Sequence, residues 1–189
     1  MMINKKCAAS IIALSALCSV ASAAELAING GFETGNFSGW TQFGNGGFTS
    51  VQGGGVEHTG SYGAFFGPVG SVGGIQQTIA ASIGDVVTVS FWLHTFAGGT
   101  NFFSAVFDGA TLMSVSNRAT TLNYTQFTFA GITVMNNNPT LSFSFRHDPG
   151  YHFLDDVSVQ TDDGPAVPLP TGAALASAGL ALLGLRRRR

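Results

Sequence analysis

The alternating stretch from Val86 to Phe96 constrains the fold of this chain more than any other. One parity of the stretch is apolar, and the other is mostly polar. The two sets are Val87, Val89, Phe91 and Leu93 on one parity and Thr88, Ser90, Trp92 and His94 on the other. A period of two residues is typical of a β-strand that buries one face and exposes the other. The stretch therefore predicts a strand in a sheet with a core on one side.

Short runs of the same kind recur roughly every 8–15 residues, which is typical of an antiparallel sandwich. The predicted strands are Leu26–Ile28, Phe48–Gln52, Tyr62–Gly67, Gly74–Ile79, Val86–Phe96, Phe102–Phe107, Thr111–Val115, Tyr124–Val134, Leu141–Arg146 and Phe153–Val159. Asp108-Gly109 predicts a hairpin, and Gly131 a bulge or bend. We predict an all-β, two-sheet antiparallel jelly-roll sandwich. A barrel or a solenoid is the alternative, although no fixed repeat supports a solenoid.

The first 23 residues have the pattern of a secretory signal peptide. Lys5 and Lys6 precede an apolar run, and Ala21-Ser22-Ala23 fits the small-x-small cleavage rule. We predict cleavage by signal peptidase, with Ala24 as the first mature residue. Both cysteines, Cys7 and Cys18, lie in this segment, so the exported body has no disulfide or thiol chemistry.

The last residues, 164–189, predict a linker followed by a membrane segment. The motif is Val167, Pro168, Leu169 and Pro170, then the uncharged run 171–185, then Arg186, Arg187, Arg188 and Arg189. Nineteen residues from Val167 to Leu185 approach the roughly 20 that a spanning helix needs. The arginines would stay on the cytoplasmic side. The alternative is a small buried helix with a solvated basic end.

This tail resembles the PEP-CTERM class of bacterial sorting signals in its VPLPA variant, with Thr171 where alanine is usual. The resemblance covers the proline motif, the apolar helix and the arginine cluster in their order. It implies a Gram-negative envelope, transient anchoring in the inner membrane, and an exosortase that cuts near the proline motif. The mature protein would then reach the cell surface or the exopolysaccharide matrix of a biofilm.

The predicted domain between the two ends, residues 24–163, is acidic. It contains Arg118 and Arg146 as its only strong bases, against ten aspartates and glutamates. A basic patch for nucleic acid or anionic lipid is therefore absent from its sequence. Cations or neutral partners would suit this charge better.

The last predicted strand contains one anomalous charge. Asp155 has the parity of Phe153, Val157 and Val159, which would point it to the core. A buried carboxylate is costly unless it is paired or binds a metal, and few bases are present. A hard cation such as Ca²⁺, with Glu33 as a second ligand, would solve the problem. Alternatively, Asp155 lies at the sheet rim and accepts hydrogen bonds from backbone N–H groups.

The two ends of this domain resemble the start and finish of carbohydrate-binding-module and galactose-binding-like jelly rolls. The matching segments are Asn29-Gly30-Gly31-Phe32-Glu33 with Gly39-Trp40, and Phe153-Leu154-Asp155-Asp156-Val157-Ser158-Val159. The resemblance implies a jelly-roll fold and a structural calcium whose ligands include Glu33 and Asp155. Fold follows from such a resemblance more directly than function.

We do not expect an enzyme. Asp155 and Asp156 are adjacent and would point to opposite faces of a strand, which prevents them from acting as an acid–base pair. His147 and His152 lie in a polar segment, where we expect solvated loop histidines more than a transition-metal site. No serine nucleophile elbow and no phosphate-binding loop occurs in the sequence.

A ligand site is predicted on the polar parity of Val86–Phe96. Trp92 lies there beside His94, and Tyr124 and Arg146 are possible neighbours. Sugars stack on flat aromatic rings, so these residues indicate a polysaccharide site. The alternative for Trp92 is that it covers a loop or a sheet edge. The function predicted is non-catalytic carbohydrate binding, and the alternative is a structural or adhesive matrix protein with no defined small ligand.

Overall fold

The computed structural model describes residues 23–162, which form ten β-strands and contain no helix. The strands are β1 Thr41–Gly44, β2 Thr49–Gln52, β3 Gly63–Phe66, β4 Gly73–Thr78, β5 Val86–Thr95, β6 Thr100–Phe107, β7 Ala110–Ser116, β8 Leu122–Thr133, β9 Thr140–Asp148 and β10 His152–Thr161. They build two antiparallel five-stranded sheets with the orders β1-β4-β9-β6-β7 and β2-β3-β10-β5-β8. The prediction of an all-β, two-sheet antiparallel architecture is confirmed.

The predicted signal peptide, proline motif, apolar segment and arginine cluster lie outside the described residues. Between residues 23 and 162, no helix has the length and apolar character needed to cross a bilayer. Export, sorting and the domain boundaries at both ends therefore stay predictions from the sequence.

The first predicted strand is wrong, and β1 was missed. Glu25 forms a single bridge with Gln160, and Leu26 donates its N–H to Val159. The backbone N–H and C=O of Ile28 are then taken by the side-chain amide of Gln77, so they are not available for a ladder. Strand propensity could not reveal that a side chain binds these backbone groups, because Gln77 lies 49 residues from Ile28 in the sequence.

The core lies between the inner faces of the two sheets. The apolar parity of β5 is buried as predicted, with Phe91 fully enclosed. Across the gap, Phe66 of β3 stacks on Phe145 of β9 with ring centroids 3.9 Å apart. Each such buried ring contributes about 1.5–3 kcal/mol relative to exposure. Trp40 is buried in the same cluster.

A predicted hairpin turn and a predicted bulge are also confirmed. Asp108 and Gly109 have φ values of 51° and 80°. These left-handed values are those of a two-residue type I′ hairpin turn. Gly131 has φ 70°. It lies where one residue on β5, Thr88, is opposite two on β8, Ala130 and Gly131. That extra residue is a β-bulge, which glycine tolerates because it has no Cβ.

A second bulge, in β10, reverses the expected direction of Asp155. Asp155 is opposite Trp92, but Ser158 is opposite Ser90, so one extra residue lies on β10. Asp156, with φ 47°, is in the left-handed region there. Directly opposite residues share a sheet face. Asp155 therefore lies on the outer face with Trp92, and the prediction that it points to the core is wrong.

Candidate functional site

The outer face of the β2-β3-β10-β5-β8 sheet contains a continuous group of rings, which we call the ring belt. Its members are His58, Phe65, Trp92, His94, Phe96, Tyr124, Tyr151 and Phe153. Neighbouring ring centroids lie between 3.7 and 6.4 Å apart. Strand pairing builds the belt, because Phe153 of β10 is opposite both Phe65 of β3 and His94 of β5.

The loop between β2 and β3, residues 53–62, crosses this outer face. The backbone N–H groups of His58 and Thr59 donate to Asp155 Oδ2 at 2.7 and 3.2 Å. Farther across the sheet, the Tyr124 hydroxyl donates to the carbonyl of Val56. The loop therefore passes over β10 and reaches β8. Asp155 is fully buried because the loop covers it, although it lies on the outer face.

The same loop covers Trp92. The His58 ring stacks on the Trp92 ring with centroids 3.7 Å apart and an interplanar angle of 16°. His58 Nδ1 lies 2.7 Å from Asp156 Oδ2, and Thr59 donates its hydroxyl to the other oxygen of Asp156 at 2.7 Å. One face of Trp92 is therefore occupied by the protein itself. The alternative in which Trp92 covers a loop describes this arrangement.

The two carboxylates predicted to bind a metal hold opposite ends of one segment of the loop. Glu33 accepts hydrogen bonds from the backbone N–H groups of Ser61 and Tyr62 at 2.9 and 3.0 Å. Asp155 holds His58 and Thr59, as described. A Cβ built on Gly31 would lie 3.6–3.9 Å from Asp155, Asp156 and Glu33. Carboxylate oxygens of Asp155 and Asp156 therefore converge at this glycine, and Glu33 approaches it with its Cγ.

The pKa of Asp155 is raised to about 6, chiefly by burial and also by the neighbouring charge of Asp156, although hydrogen bonds from backbone N–H groups act to lower it. Within residues 23–162, the hydrogen bonds of Asp155 come from backbone N–H groups, and no base there forms an ion pair with it. In charge and donor type, Asp155 and Glu33 fit a hard cation. Among residues 23–162, however, no group of three His, Cys, Asp or Glu side chains has the geometry of a metal site.

The open part of the ring belt is a groove, which we call the first groove. It has a volume of about 290 Å³, and it is lined by Gln52, Val56, Phe65, Tyr151 and Phe153. Half-buried Phe65 and Phe153 present their rings, and Gln52 offers an exposed amide. Rings beside a hydrogen-bonding group are what a sugar chain requires, because it has both an apolar face and hydroxyl edges.

The structure separates Arg146 from the other predicted ligand residues. Trp92, His94 and Tyr124 lie in one sheet, and Arg146 lies on β9 in the other. Its guanidinium is ion-paired with Asp148, and this pairing lowers the pKa of the Asp148 carboxyl. His94 contacts Tyr124 and Phe153 within the ring belt, and burial lowers its pKa.

The prediction of solvated histidines in the segment between β9 and β10 is wrong. His147 and His152 are fully buried at the ends of those strands. His152 contacts Thr95 Oγ1 at 3.0 Å through Nδ1 and the Arg146 carbonyl at 3.1 Å through Nε2. Burial lowers the pKa of His152 to about 4. Both of its ring nitrogens therefore have structural partners and are not available to a metal.

Sequence reasoning missed His58, Phe65 and Tyr151. His58 stands in a glycine-rich loop, and its partners on β10 are 97 and 98 residues away. Phe65 and Phe153 were not separated from the core phenylalanines, because both lie in apolar runs. For Phe153 the bulge at Asp156 is the cause, since it reverses the parity that the rest of β10 indicates.

No protein-family model matches this chain, and no curated protein sequence matches it. Solved structures do resemble it. One is TmCBM61 in complex with β-1,4-galactotriose, with TM-score 0.58 and 24% identity over 72% of this chain and 98% of that one. Another contains the CBM22-1 and GH10 modules of Clostridium thermocellum endo-1,4-β-D-xylanase 10B with xylohexaose, with TM-score 0.54 and 20% identity. That match covers 77% of this chain and 30% of the other.

A cyclase from Fischerella sp. TAU is also similar, with TM-score 0.51 and 15% identity over 77% of this chain and 99% of that one. At these identities the likeness concerns the fold. The described domain therefore has the jelly-roll fold found in carbohydrate-binding modules. The same fold also occurs in an enzyme, so the expectation of a non-catalytic protein stays a prediction.

Proposed function

We propose that this protein is exported, sorted by an exosortase, and displayed at the cell surface or in the exopolysaccharide matrix, where its β-sandwich binds polysaccharide without catalysis. The observation that carries the binding proposal is the first groove. It combines half-buried aromatic rings with an exposed amide on one sheet face. The solved relatives contain galactotriose and xylohexaose, which supports a sugar chain as the ligand.

The rings that we assign to the ligand differ from those that the sequence favoured. Trp92 is covered by His58, so Phe65, Phe153 and Tyr151 take its place as stacking surfaces. Tyr124 and His94 support the belt beside them, since Tyr124 anchors the loop and His94 contacts Phe153. Arg146 has no part in this site, because it lies on the other sheet.

We further propose that a structural calcium ion binds Glu33 and Asp155. The support is the buried carboxylate of Asp155 and the approach of the Asp156 carboxylate and the Glu33 side chain to it at Gly31. The ion would offset the charge that burial makes costly. Its effect on binding would be indirect, because the same carboxylates hold the loop that forms the Val56 wall of the first groove.

Display depends on the two ends of the chain. The signal-peptide pattern at residues 1–23 and the proline motif, apolar run and arginine cluster at 167–189 support export followed by sorting. Replacing Pro168 and Pro170 with alanine should leave the uncleaved protein in the inner membrane. Surface labelling and fractionation would measure this, and normal release of the variant would contradict it.

The binding proposal is tested by retention of the purified protein on immobilised β-1,4-galactan and xylan, and on the exopolysaccharide of the producing cells. The double variant Phe65→Ala/Phe153→Ala should lose retention. The matched control is Phe102→Ala, because Phe102 is also half-buried but belongs to the opposite sheet. No retention of the wild-type protein on any of these polymers, or equal retention of the double variant, would refute the proposal.

A further inference from the structure

A second groove continues the first at the end of the sheet. It has a volume of about 200 Å³, and it is lined by Phe48, Gly67, Val69, Pro149, Gly150 and Tyr151. Tyr151 lines both grooves. Each groove alone is no larger than the roughly 300 Å³ at which ligand pockets usually begin, but together they are well inside that range. The two grooves therefore make more sense as parts of one site.

Tyr151 is held in place between the two grooves. A Cβ on Gly67 would lie 2.7 Å from two carbons of the Tyr151 ring, so the ring lies directly on this glycine. The ring also packs edge-on against Phe65, with centroids 5.5 Å apart, and parallel to Phe153 at 6.4 Å. The shared ring is thus oriented by its neighbours and forms a fixed surface from one groove to the next.

Strand pairing places the two grooves in line along β2 and β3. Gln52 lines the first groove and Phe48 the second, and four residues of extended chain span about 13 Å. Phe48 keeps the alignment beyond the end of β2, since its carbonyl accepts the N–H of Gly67 at 2.9 Å. The combined track is longer than one pyranose ring, so its ligand would be an oligomer that runs parallel to these strands.

The loop between β2 and β3 closes the far end of this track. Val56 forms the wall there, and the Tyr124 hydroxyl holds its carbonyl. The stack of His58 on Trp92 fills the space behind the wall. A chain that lies over Phe65 and Phe153 would therefore extend past Tyr151 into the second groove.

The charge of the two grooves selects against an anionic chain. Among residues 23–162, no residue that lines either groove carries a charge. Glu57 follows the lining residue Val56, and Asp148 precedes the lining residue Pro149. Residues 23–162 contain nine carboxylates and two arginines. Of those arginines, Arg146 is already paired with Asp148. A uronate-rich polymer would meet like charge and, among the described residues, no cation in the lining of either groove, whereas a neutral chain would meet neither problem.

We propose that the two grooves are successive subsites of one track for a linear, neutral polysaccharide, with Tyr151 as the ring that both subsites share. This inference rests on the proposed function, which needs only the first groove. It adds that affinity rises with the length of the ligand, and that uronate chains are excluded.

Calorimetric titration tests this with oligomers of β-1,4-linked galactose and xylose, from the monosaccharide to the hexasaccharide, and with oligogalacturonate as the anionic chain. Affinity for the neutral series should rise at least about tenfold once the oligomer is long enough to pass Tyr151, which corresponds to about 1.4 kcal/mol. Oligogalacturonate of equal length should not bind measurably.

Variants locate the origin of the length dependence. In Phe48→Ala/Val69→Ala, and in Tyr151→Ala, affinity for the hexasaccharide should fall at least about tenfold. The control is Met135→Ala, which also removes an exposed apolar side chain but at the opposite end of the strands. It should keep the full length dependence. Thermal melting of each variant checks that it is folded.

The two proposals fail differently. Binding of short and long neutral oligomers with equal affinity, a length dependence that survives Phe48→Ala/Val69→Ala, or equal binding of oligogalacturonate would overturn the track and leave the first groove standing. No binding of any oligomer, together with no retention on the polymers, would overturn the proposed function and this inference with it.

Discussion

The two outer faces of the sandwich differ, although the two inner faces are alike. The face of β2-β3-β10-β5-β8 contains the ring belt, the buried Asp155 and the covering loop. The face of β1-β4-β9-β6-β7 presents Ser142, Ser144 and the Arg146–Asp148 ion pair along its central strand. Core packing requires only that the inner faces be apolar. The outer faces are therefore free to differ, and a binding site can form on one of them without disturbing the core.

The largest loss of stability is expected from Asp155→Ala, and it tests whether the two outer faces differ. Three backbone N–H donors of the covered face, those of His58, Thr59 and Asp156, would lose their acceptor. Each unsatisfied donor costs about 1–3 kcal/mol, so we expect the free energy of unfolding to fall by at least about 3 kcal/mol. Urea denaturation measures it. Asp148→Ala, on the other face, should cost less, and equal losses would mean that the two faces are not different.

Acid should lower the stability of the packing between the two sheets, through His152. His152 packs against Phe103 and Phe145 of the opposite sheet, and its pKa is about 4 against an ordinary 6.5. The unfolded state therefore takes up the proton first, and stability falls as pH falls from about 6.5 to about 4. The loss is about 3 kcal/mol. Denaturation at several pH values should show it, and His152→Gln should remove this contribution; an unchanged pH profile in that variant would contradict the assignment.

Calcium should stabilise the folded protein through Glu33 and Asp155, and not through carboxylates of the other sheet. If Glu33 and Asp155 bind the ion in the folded state alone, calcium at about 100 times its dissociation constant adds about 2.7 kcal/mol. The melting temperature should then rise with calcium and fall with chelator. Asp148→Ala should keep this response, and Glu33→Gln should lose it. Identical melting of the wild-type protein in both conditions would remove the calcium proposal.

The smallest effect is expected from Tyr124→Phe, which removes one hydrogen bond between β8 and the loop. The loss of stability should be about 1 kcal/mol. Because the loop also covers Trp92, collisional quenching of tryptophan fluorescence by iodide should increase. Tyr62→Phe, a change at an exposed tyrosine of the same loop, is the control and should leave quenching as it is. Unchanged quenching in Tyr124→Phe would show that the loop does not depend on this bond.

The difference between the faces was only partly predictable. Trp92 and His94 were placed correctly on the outer parity of β5, because alternation is a local property. Arg146 was grouped with them because its parity in β9 is also outward, and parity does not reveal which sheet a strand joins. Asp155 was predicted to face the core, because one bulge residue, Asp156, is enough to exchange the two faces of a strand.

The sequence by itself determined the approximate positions of β2 to β10, the buried parity of β5, the Asp108-Gly109 hairpin and the bulge at Gly131, because each depends on residues within a few positions of one another. Only the tertiary structure decided that Phe65, Phe153 and Tyr151 form a groove, that His58 covers Trp92, and that Asp155 is buried under a loop. These arrangements join segments up to 98 residues apart. They depend on sheet order and register, which are set by how all ten strands pack together.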